Sequence, residues 1–187
     1  MAAELTFRET RAQIRMLQEA LEALGTSVEE DKPQWDDVVV ASSLSDAVLA
    51  SRGLLEEAGT AADDACRAVV YPLDGDRTRR ALALCQERFQ RFAHHFSFEL
   101  ASYDRLDDLR TVAEERGPDW RSWASVVKQG LEQSRALVEE VRNSLFLCWQ
   151  ELAERMATNS VSIRNTTIGQ VSAAKLRSPP AAKEGGP

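Results

Sequence analysis

Hydrophobic positions recur along most of this chain at the three- and four-residue steps that are typical of amphipathic helices. The first stripe predicts a helix over residues 5–24, and Gly25 follows it where a helix usually ends. A second stripe predicts a helix over residues 35–70. Pro72 ends it, because a proline disfavours helical geometry at the residue before it.

Two further helices follow in the second half of the chain. The third begins near Asp76, carries a stripe of phenylalanines and continues to about Leu109, with a kink expected around Ser102. Gly117 then marks the end of one helix and Pro118 the beginning of the next. The fourth predicted helix covers residues 119–157, and a helix of that length is stable only when neighbouring helices cover it.

These elements predict an all-α fold, an elongated antiparallel four-helix bundle over residues 1–157. One helix can be broken in two, either near Gly59, since glycine weakens a helix interior, or at the kink near Ser102. Only 9 glycines and 6 prolines occur among the 187 residues, which argues against a β-sandwich or barrel with many turns.

The last part of the chain, residues 158–187, differs in kind and is predicted to be a largely disordered, flexible tail. Within it, residues 160–171 are polar and β-branched, a composition that favours a strand able to pair with a sheet edge. The tail has four basic residues and one acidic residue, a net charge of +3. Since the whole chain carries −7, the bundle carries −10.

Composition narrows the classes of function. The acidic balance argues against DNA as a partner and makes RNA an unfavourable one, because phosphate contacts need a basic face. The N-terminus has no secretory signal pattern and no run of apolar residues is long enough to span a membrane, so we expect a cytoplasmic protein. Cys66, Cys85 and Cys148 lie on apolar helical faces, which predicts buried free thiols.

The sequence predicts neither a metal site nor a cofactor. The glycines are scattered and form no phosphate-binding loop. His94 and His95 are the only histidines, so a three-histidine zinc site is impossible, and two adjacent histidines cannot supply the paired Glu-x-x-His motifs of a di-metal bundle.

One enzymatic interpretation remains, and it rests on Arg88, Arg91 and His94. Their spacing resembles the Arg-x(4–6)-His motif of HEPN-type ribonucleases, which are helical bundles. The resemblance implies metal-independent RNA cleavage at a dimer interface, with either arginine beside His94. The residue after each arginine is a phenylalanine, where that family usually has a polar residue. The alternative interpretation is a solvated arginine face beside an aromatic core.

The bundle and its tail together resemble bacterial counterparts of the fungal HeLo-type cell-death domains, which carry C-terminal amyloid-signalling tails. The resemblance covers the architecture and the segment 160–171, in which Asn165 and Gly169 match loosely. It implies a signal templated by the same or another chain through the tail, with the bundle as effector. A strand folded back on the bundle, or a disordered end, is the alternative.

The leading functional prediction is therefore a non-enzymatic interaction or effector module in a bacterial signalling or defence system. Its tail would dock on another protein or on a second copy, through Val161, Ile163, Asn165, Ile168, Gly169 and Val171. The HEPN-like ribonuclease is one alternative. A membrane-disrupting effector is another, in which the first helix is released onto lipid by its apolar face of Phe7, Ile14 and Leu17. Phe98, which lies off the phenylalanine stripe, is predicted to be exposed.

Overall fold

The structure is a computed structural model that describes the backbone of residues 2–29, 39–69 and 74–176. Side chains are described for residues 6–29, 42–69 and 74–158. The described backbone forms five α-helices and one π-helical turn. They are α1 (Ala2–Glu29), α2 (Val39–Ala68), α3 (Gly75–His95), the π-turn (Phe96–Leu100), α4 (Tyr103–Arg116) and α5 (Pro118–Leu176).

Contacts at both ends of α1 show that it runs antiparallel to α5. Near the start of α1, the hydroxyl of Thr10 lies 3.4 Å from the Sγ of Cys148, which is 30 residues after the start of α5. Near its end, Trp123 Nε1 donates a 3.0 Å hydrogen bond to the carbonyl oxygen of Ser27. The first helix and the last one therefore form one continuous seam of the bundle.

The seam between α2 and α3 is also antiparallel. The hydroxyl of Thr78, at the start of α3, donates a 3.2 Å hydrogen bond to the carbonyl of Ala68, at the end of α2. At the other end, His95 Nδ1 lies 3.0 Å from the Oγ of Ser51. The segments α3, the π-turn and α4 follow one another and together form the third of four long helical rods, the others being α1, α2 and α5. The predicted antiparallel four-helix bundle with one broken helix is therefore confirmed.

The break falls in the third rod, at the position expected near Ser102. The backbone N–H of Ala101 bonds to the carbonyl of Phe96 at 2.9 Å, which closes the π-turn. Ser102 then adopts an extended conformation and caps α4, because its Oγ accepts the N–H of Arg105 at 3.3 Å. The second helix, by contrast, continues unbroken through Gly59.

A buried apolar core runs between the rods. Its largest fully buried side chains include the three phenylalanines of the predicted stripe, Phe89, Phe92 and Phe96, whose successive ring centroids lie 5.7 and 5.9 Å apart. Phe98 is 65% exposed, as its place off the stripe predicts. Within the described ranges, no helix is long and apolar enough to cross a membrane.

The end of the last helix differs from its prediction. Residue 157 was expected to end it, but α5 continues to Leu176 and is 59 residues long. The Ser, Thr and Asn residues beyond residue 157 each weaken a helix by only a few tenths of a kcal/mol, and Pro179 is the first proline after them. The strand tendency of residues 160–171 stays a prediction, because their side chains lie outside the described residues.

Candidate functional site

The arginines of the ribonuclease hypothesis both face α2. Arg88 forms a hydrogen-bonded ion pair with Glu57, and Arg91 Nη1 lies 3.6 Å from the Oε2 of the same carboxylate. His94 is exposed, and its ring centroid lies 4.5 Å from that of Phe98. The two guanidiniums are therefore directed to Glu57 of α2, whereas His94 is directed along its own rod.

This arrangement gives the arginines a structural role within the chain. An exposed ion pair contributes at most about 1 kcal/mol, but Glu57 joins two guanidiniums across the seam between α2 and α3. The carboxylate of Glu57 offsets part of the positive charge that would stabilise a scissile phosphate. A composite site formed with a second chain stays a prediction.

The three cysteines are free, as predicted, and the pKa values of their thiols are raised. Burial raises the pKa of Cys85 to about 12 and that of Cys148 to about 11, and burial also raises the pKa of Cys66. At neutral pH these thiols are protonated, and a protonated thiol is a poor nucleophile. Among the described residues, no group of three or more His, Cys, Asp or Glu side chains is placed to hold a metal ion.

The apolar face of α1 is covered by the bundle. Phe7, Ile14 and Leu17, which the membrane hypothesis assigns to lipid, are between 0% and 4% exposed. A small pocket of about 230 Å³ lies beside this helix, between Arg8 and Arg67. Release of α1 onto a membrane would expose a large part of the core, at a cost of about 25 cal/mol per Å² of apolar surface.

The six residues assigned to partner binding all fall on the C-terminal part of α5, and their side chains lie outside the described residues. The start of α3 lies beside Met156 of α5. A Cβ atom on Gly75, the first residue of α3, would lie 3.2 Å from the terminal methyl of Met156. Beyond Met156 the α5 backbone continues to Leu176, a further length of about 30 Å at 1.5 Å per residue.

A groove between α4 and α5 was not predicted from the sequence. It has a volume of about 500 Å³, and its apolar lining includes the buried residues Leu109, Ala113 and Ala124. Tyr103, which is 80% exposed, stands at its edge. The sequence pattern predicted a kink in the third helix around Ser102, but it gave no direction for the kink and so did not indicate a groove between α4 and α5.

Charged side chains line the rest of the groove. Arg110 forms an ion pair with Asp107, with 2.7 Å between Nη2 and Oδ1, and its Nε lies 3.8 Å from the Oε1 of Glu114. Arg121 and Lys128 lie on the α5 side. An apolar floor with charged sides is the usual composition of a protein-binding surface.

The chain matches no protein-family model and no curated protein. Two features of its own geometry therefore carry the functional argument. They are the part of α5 that continues past the other helices, and the groove between α4 and α5.

Proposed function

We propose that this chain is a non-enzymatic helical interaction module whose C-terminal segment, residues 160–171, binds a partner protein or a second copy of the chain. The bundle holds this segment at one end and acts as the effector. We place the module in the cytoplasm, in a bacterial signalling or defence system of the HeLo-like type.

The observation that carries the proposal is the length of α5. This helix has 59 residues, whereas α1 and α2 have 28 and 30. The antiparallel contacts place the start of α1 and of α3 level with about Met156. About 20 residues of α5 therefore extend past the starts of α1 and α3 as the structure describes them, and a helical segment that those helices do not pack against is only marginally stable in water.

A marginal helix rich in β-branched residues is suited to change its conformation when it binds. The segment can pair with a sheet edge as a strand, or lay one helical face into a groove. A strand places Val161, Ile163 and Val171 on one face, whereas a helix places Val161, Ile168 and Val171 on one face. Templated assembly of the HeLo-like type is one form of the first mode.

The alternatives have less support. The arginines of the ribonuclease hypothesis share Glu57, and the apolar face of the membrane hypothesis is buried in the core. The membrane function would require a rearrangement of the bundle, and the ribonuclease function would place a phosphate beside the carboxylate of Glu57. Binding through the C-terminal segment leaves the core as it is.

The proposal is tested by measuring molar mass with light scattering across a concentration series, for the full chain and for a chain ending at residue 158. We expect the full chain to associate and the shortened chain to be monomeric with an unchanged melting temperature, because the core lies within residues 7–152. A chain ending at residue 177 is the control and should behave like the full chain.

Point variants refine the test. Val161→Asp should weaken association at least tenfold in either mode, because a carboxylate is costly to bury. A comparable loss is expected from Ile163→Asp if the segment binds as a strand, and from Ile168→Asp if it binds as a helix. Asp in place of Ser160 or Thr167 adds the same charge at polar positions and should change association little. If the chain ending at residue 158 associates with itself as strongly as the full chain does, the proposal is wrong. The proposal is also wrong if this shortened chain binds a purified partner protein as tightly as the full chain binds it.

A further inference from the structure

We propose that α4 is a lid, a helix that opens away from α5 about its two ends while the rest of the bundle stays folded. Opening uncovers the apolar floor of the groove between α4 and α5, at Leu109, Ala113 and Ala124. This lid is a property of the bundle itself and does not depend on the C-terminal segment that the proposed function uses.

Both ends of α4 have a backbone conformation that interrupts the helical rod. At its start, Ser102 follows the π-turn and is extended, with a φ of −69° and a ψ of 155°. At its end, Gly117 has a φ of 104° before α5 begins at Pro118. Hinges are usually a few residues at the ends of elements that absorb a change in φ and ψ. A change at Ser102 and Gly117 would therefore turn α4 without unwinding α3 or α5.

The helix α4 buries little apolar surface. Of its 14 residues, Leu109 and Ala113 have buried side chains. The 21 residues of α3 bury six side chains, which include Leu82, Phe89 and Phe92. Since hydrophobic stabilisation grows with the apolar area removed from water, α4 is held more weakly than α3. The groove of about 500 Å³ also means that α4 and α5 pack incompletely against each other.

One arginine ties the first turn of α4 to a neighbouring helix. The Nη1 of Arg105 donates a 2.6 Å hydrogen bond to the Oγ of Ser43 on α2. Arg110, near the middle of the helix, pairs instead with two carboxylates of α4 itself. The pairs of Arg110 therefore do not hold α4 on α5, whereas the contact between Arg105 and Ser43 has to break when the start of α4 moves away from α2.

The neighbours of α4 keep other contacts when it opens. The Nη2 of Arg135, on α5, donates a 2.6 Å hydrogen bond to the carbonyl of Ala101, which fixes the chain just before the hinge at Ser102. The first part of α5 is also held by α1, through the 3.0 Å hydrogen bond from Trp123 to Ser27. The segment that opens is therefore α4 alone.

The opening is measured by native-state hydrogen exchange of the full chain in a series of low urea concentrations. A 14-residue helix is only marginally stable once it leaves α5, so its amides exchange from the open state. Relative to their intrinsic rates, the amides of residues 103–116 should exchange at least about 100-fold faster than those of residues 82–92 in α3. Their exchange should depend weakly on urea, because the opening exposes little surface, whereas α3 should show the steep dependence of global unfolding.

Two leucine variants separate the lid from global unfolding. Leu109→Ala removes an apolar contact of α4 and should speed exchange in α4 at least tenfold. Leu82→Ala makes the same change in α3 and is the matched control. It should speed exchange in α3 at least tenfold but change exchange in α4 by less than about threefold, because the α4 amides already exchange through the lid. The urea series on the natural chain needs neither variant to fold.

Two arginine variants test the contact at the first turn of α4. Arg105→Ala should speed exchange in α4 by about threefold to tenfold, because the charged hydrogen bond to Ser43 is lost. Arg110→Ala, on the same helix, removes pairs within α4 and should change the exchange by about twofold or less.

A lid is ruled out if residues 103–116 have the same protection and the same urea dependence as α3, because α4 then opens only when the whole chain unfolds. It is also ruled out if Leu82→Ala speeds exchange in α4 as much as in α3, or if residues 127–141 of α5 exchange together with α4. These outcomes leave the proposed function untouched, because that function is tested by removing residues 159–187.

Discussion

Two of the three cysteine side chains lie deep in the core of the bundle. Cys85 and Cys148 are 1% and 0% exposed, on facing helices, and burial raises the pKa of each thiol because the thiolate loses its hydration. For Cys148, burial is the larger effect, and the hydrogen bond with the hydroxyl of Thr10 lowers the pKa against it. These thiols therefore act as small apolar side chains at neutral pH.

This burial predicts how stability depends on pH. A thiol has a pKa of 9.0 without the fold, and in the folded chain the values rise to about 12 and about 11. Below pH 9 both states hold the proton and nothing is lost. From pH 9 upward the unfolded chain ionises first, so the free energy of unfolding should fall by about 1.4 kcal/mol per pH unit for each thiol, until pH passes the folded value.

The measurement is urea unfolding at pH 8 and at pH 10.5 for the natural chain and for Cys85→Ala. The variant should lose stability at pH 8, because it leaves a cavity, but its further loss between the two pH values should be smaller by about 2 kcal/mol. An identical further loss in both proteins would show that Cys85 is accessible to hydroxide in the folded chain.

The phenylalanine stripe shows what a sequence pattern determines at the level of residues. Phe89, Phe92 and Phe96 follow steps of three and four and are buried, whereas Phe98 breaks those steps and is exposed. The pattern did not show that Glu57 would bind Arg88 and Arg91, because a contact across a seam depends on the rotation and offset of two helices. Spacing within one helix carries no information on that offset.

At the level of elements, two glycines occupy opposite kinds of position. Gly53 lies inside α2 with no atom within 4 Å of the place where a Cβ would be. Gly117 ends α4 with a φ of 104°, a conformation that residues with a Cβ rarely adopt. The same substitution should therefore have opposite effects at the two sites.

Gly53→Ala should raise the free energy of unfolding by about 0.5 to 1 kcal/mol, because alanine favours a helix interior and nothing obstructs its methyl group. Gly117→Ala should lower it by about 1 kcal/mol or more, because the turn between α4 and α5 becomes strained. Denaturant unfolding of the two variants measures both changes. Destabilisation by Gly53→Ala would mean that α2 is not a regular helix there.

The helices and their order followed from apolar spacing and from Gly117–Pro118, and the break at Ser102 was one of the two places that the sequence allowed, the other being Gly59. The end of α5 did not, because no proline or strong cap marks it and helix propensities differ too little to stop a helix. The groove also could not be predicted from sequence. Its existence depends on the direction that α4 takes after the π-turn, which is set by three-dimensional packing.

At the level of the whole molecule, charge is divided between the body and its C-terminal end. The bundle carries a net charge of −10 and residues 158–187 carry +3, so the two parts attract each other, within one copy as well as between copies. Exposed charges of this kind interact over about 10 Å at 0.1 M salt and over much less at high salt.

The proposed self-association of the full chain should therefore weaken by about tenfold when salt rises from roughly 0.05 M to roughly 0.5 M, because the ions screen the attraction. Sedimentation at several salt concentrations measures the change. The melting temperature of the monomeric chain ending at residue 158 serves as the control and should change little over the same range. Association that strengthens with salt would indicate a contact dominated by apolar burial.

The order of the rods has a consequence for how the chain acquires its fold. Three of the four seams join helices that follow one another along the chain, so short connections bring them together at a small entropic cost. The fourth seam joins α1 to α5, and contacts such as Thr10 with Cys148 close a loop of most of the polypeptide. During synthesis on the ribosome, the part of the α1 apolar face that packs on α5 therefore stays uncovered until α5 emerges. Exposed apolar surface of this kind makes a nascent chain prone to aggregation in that interval.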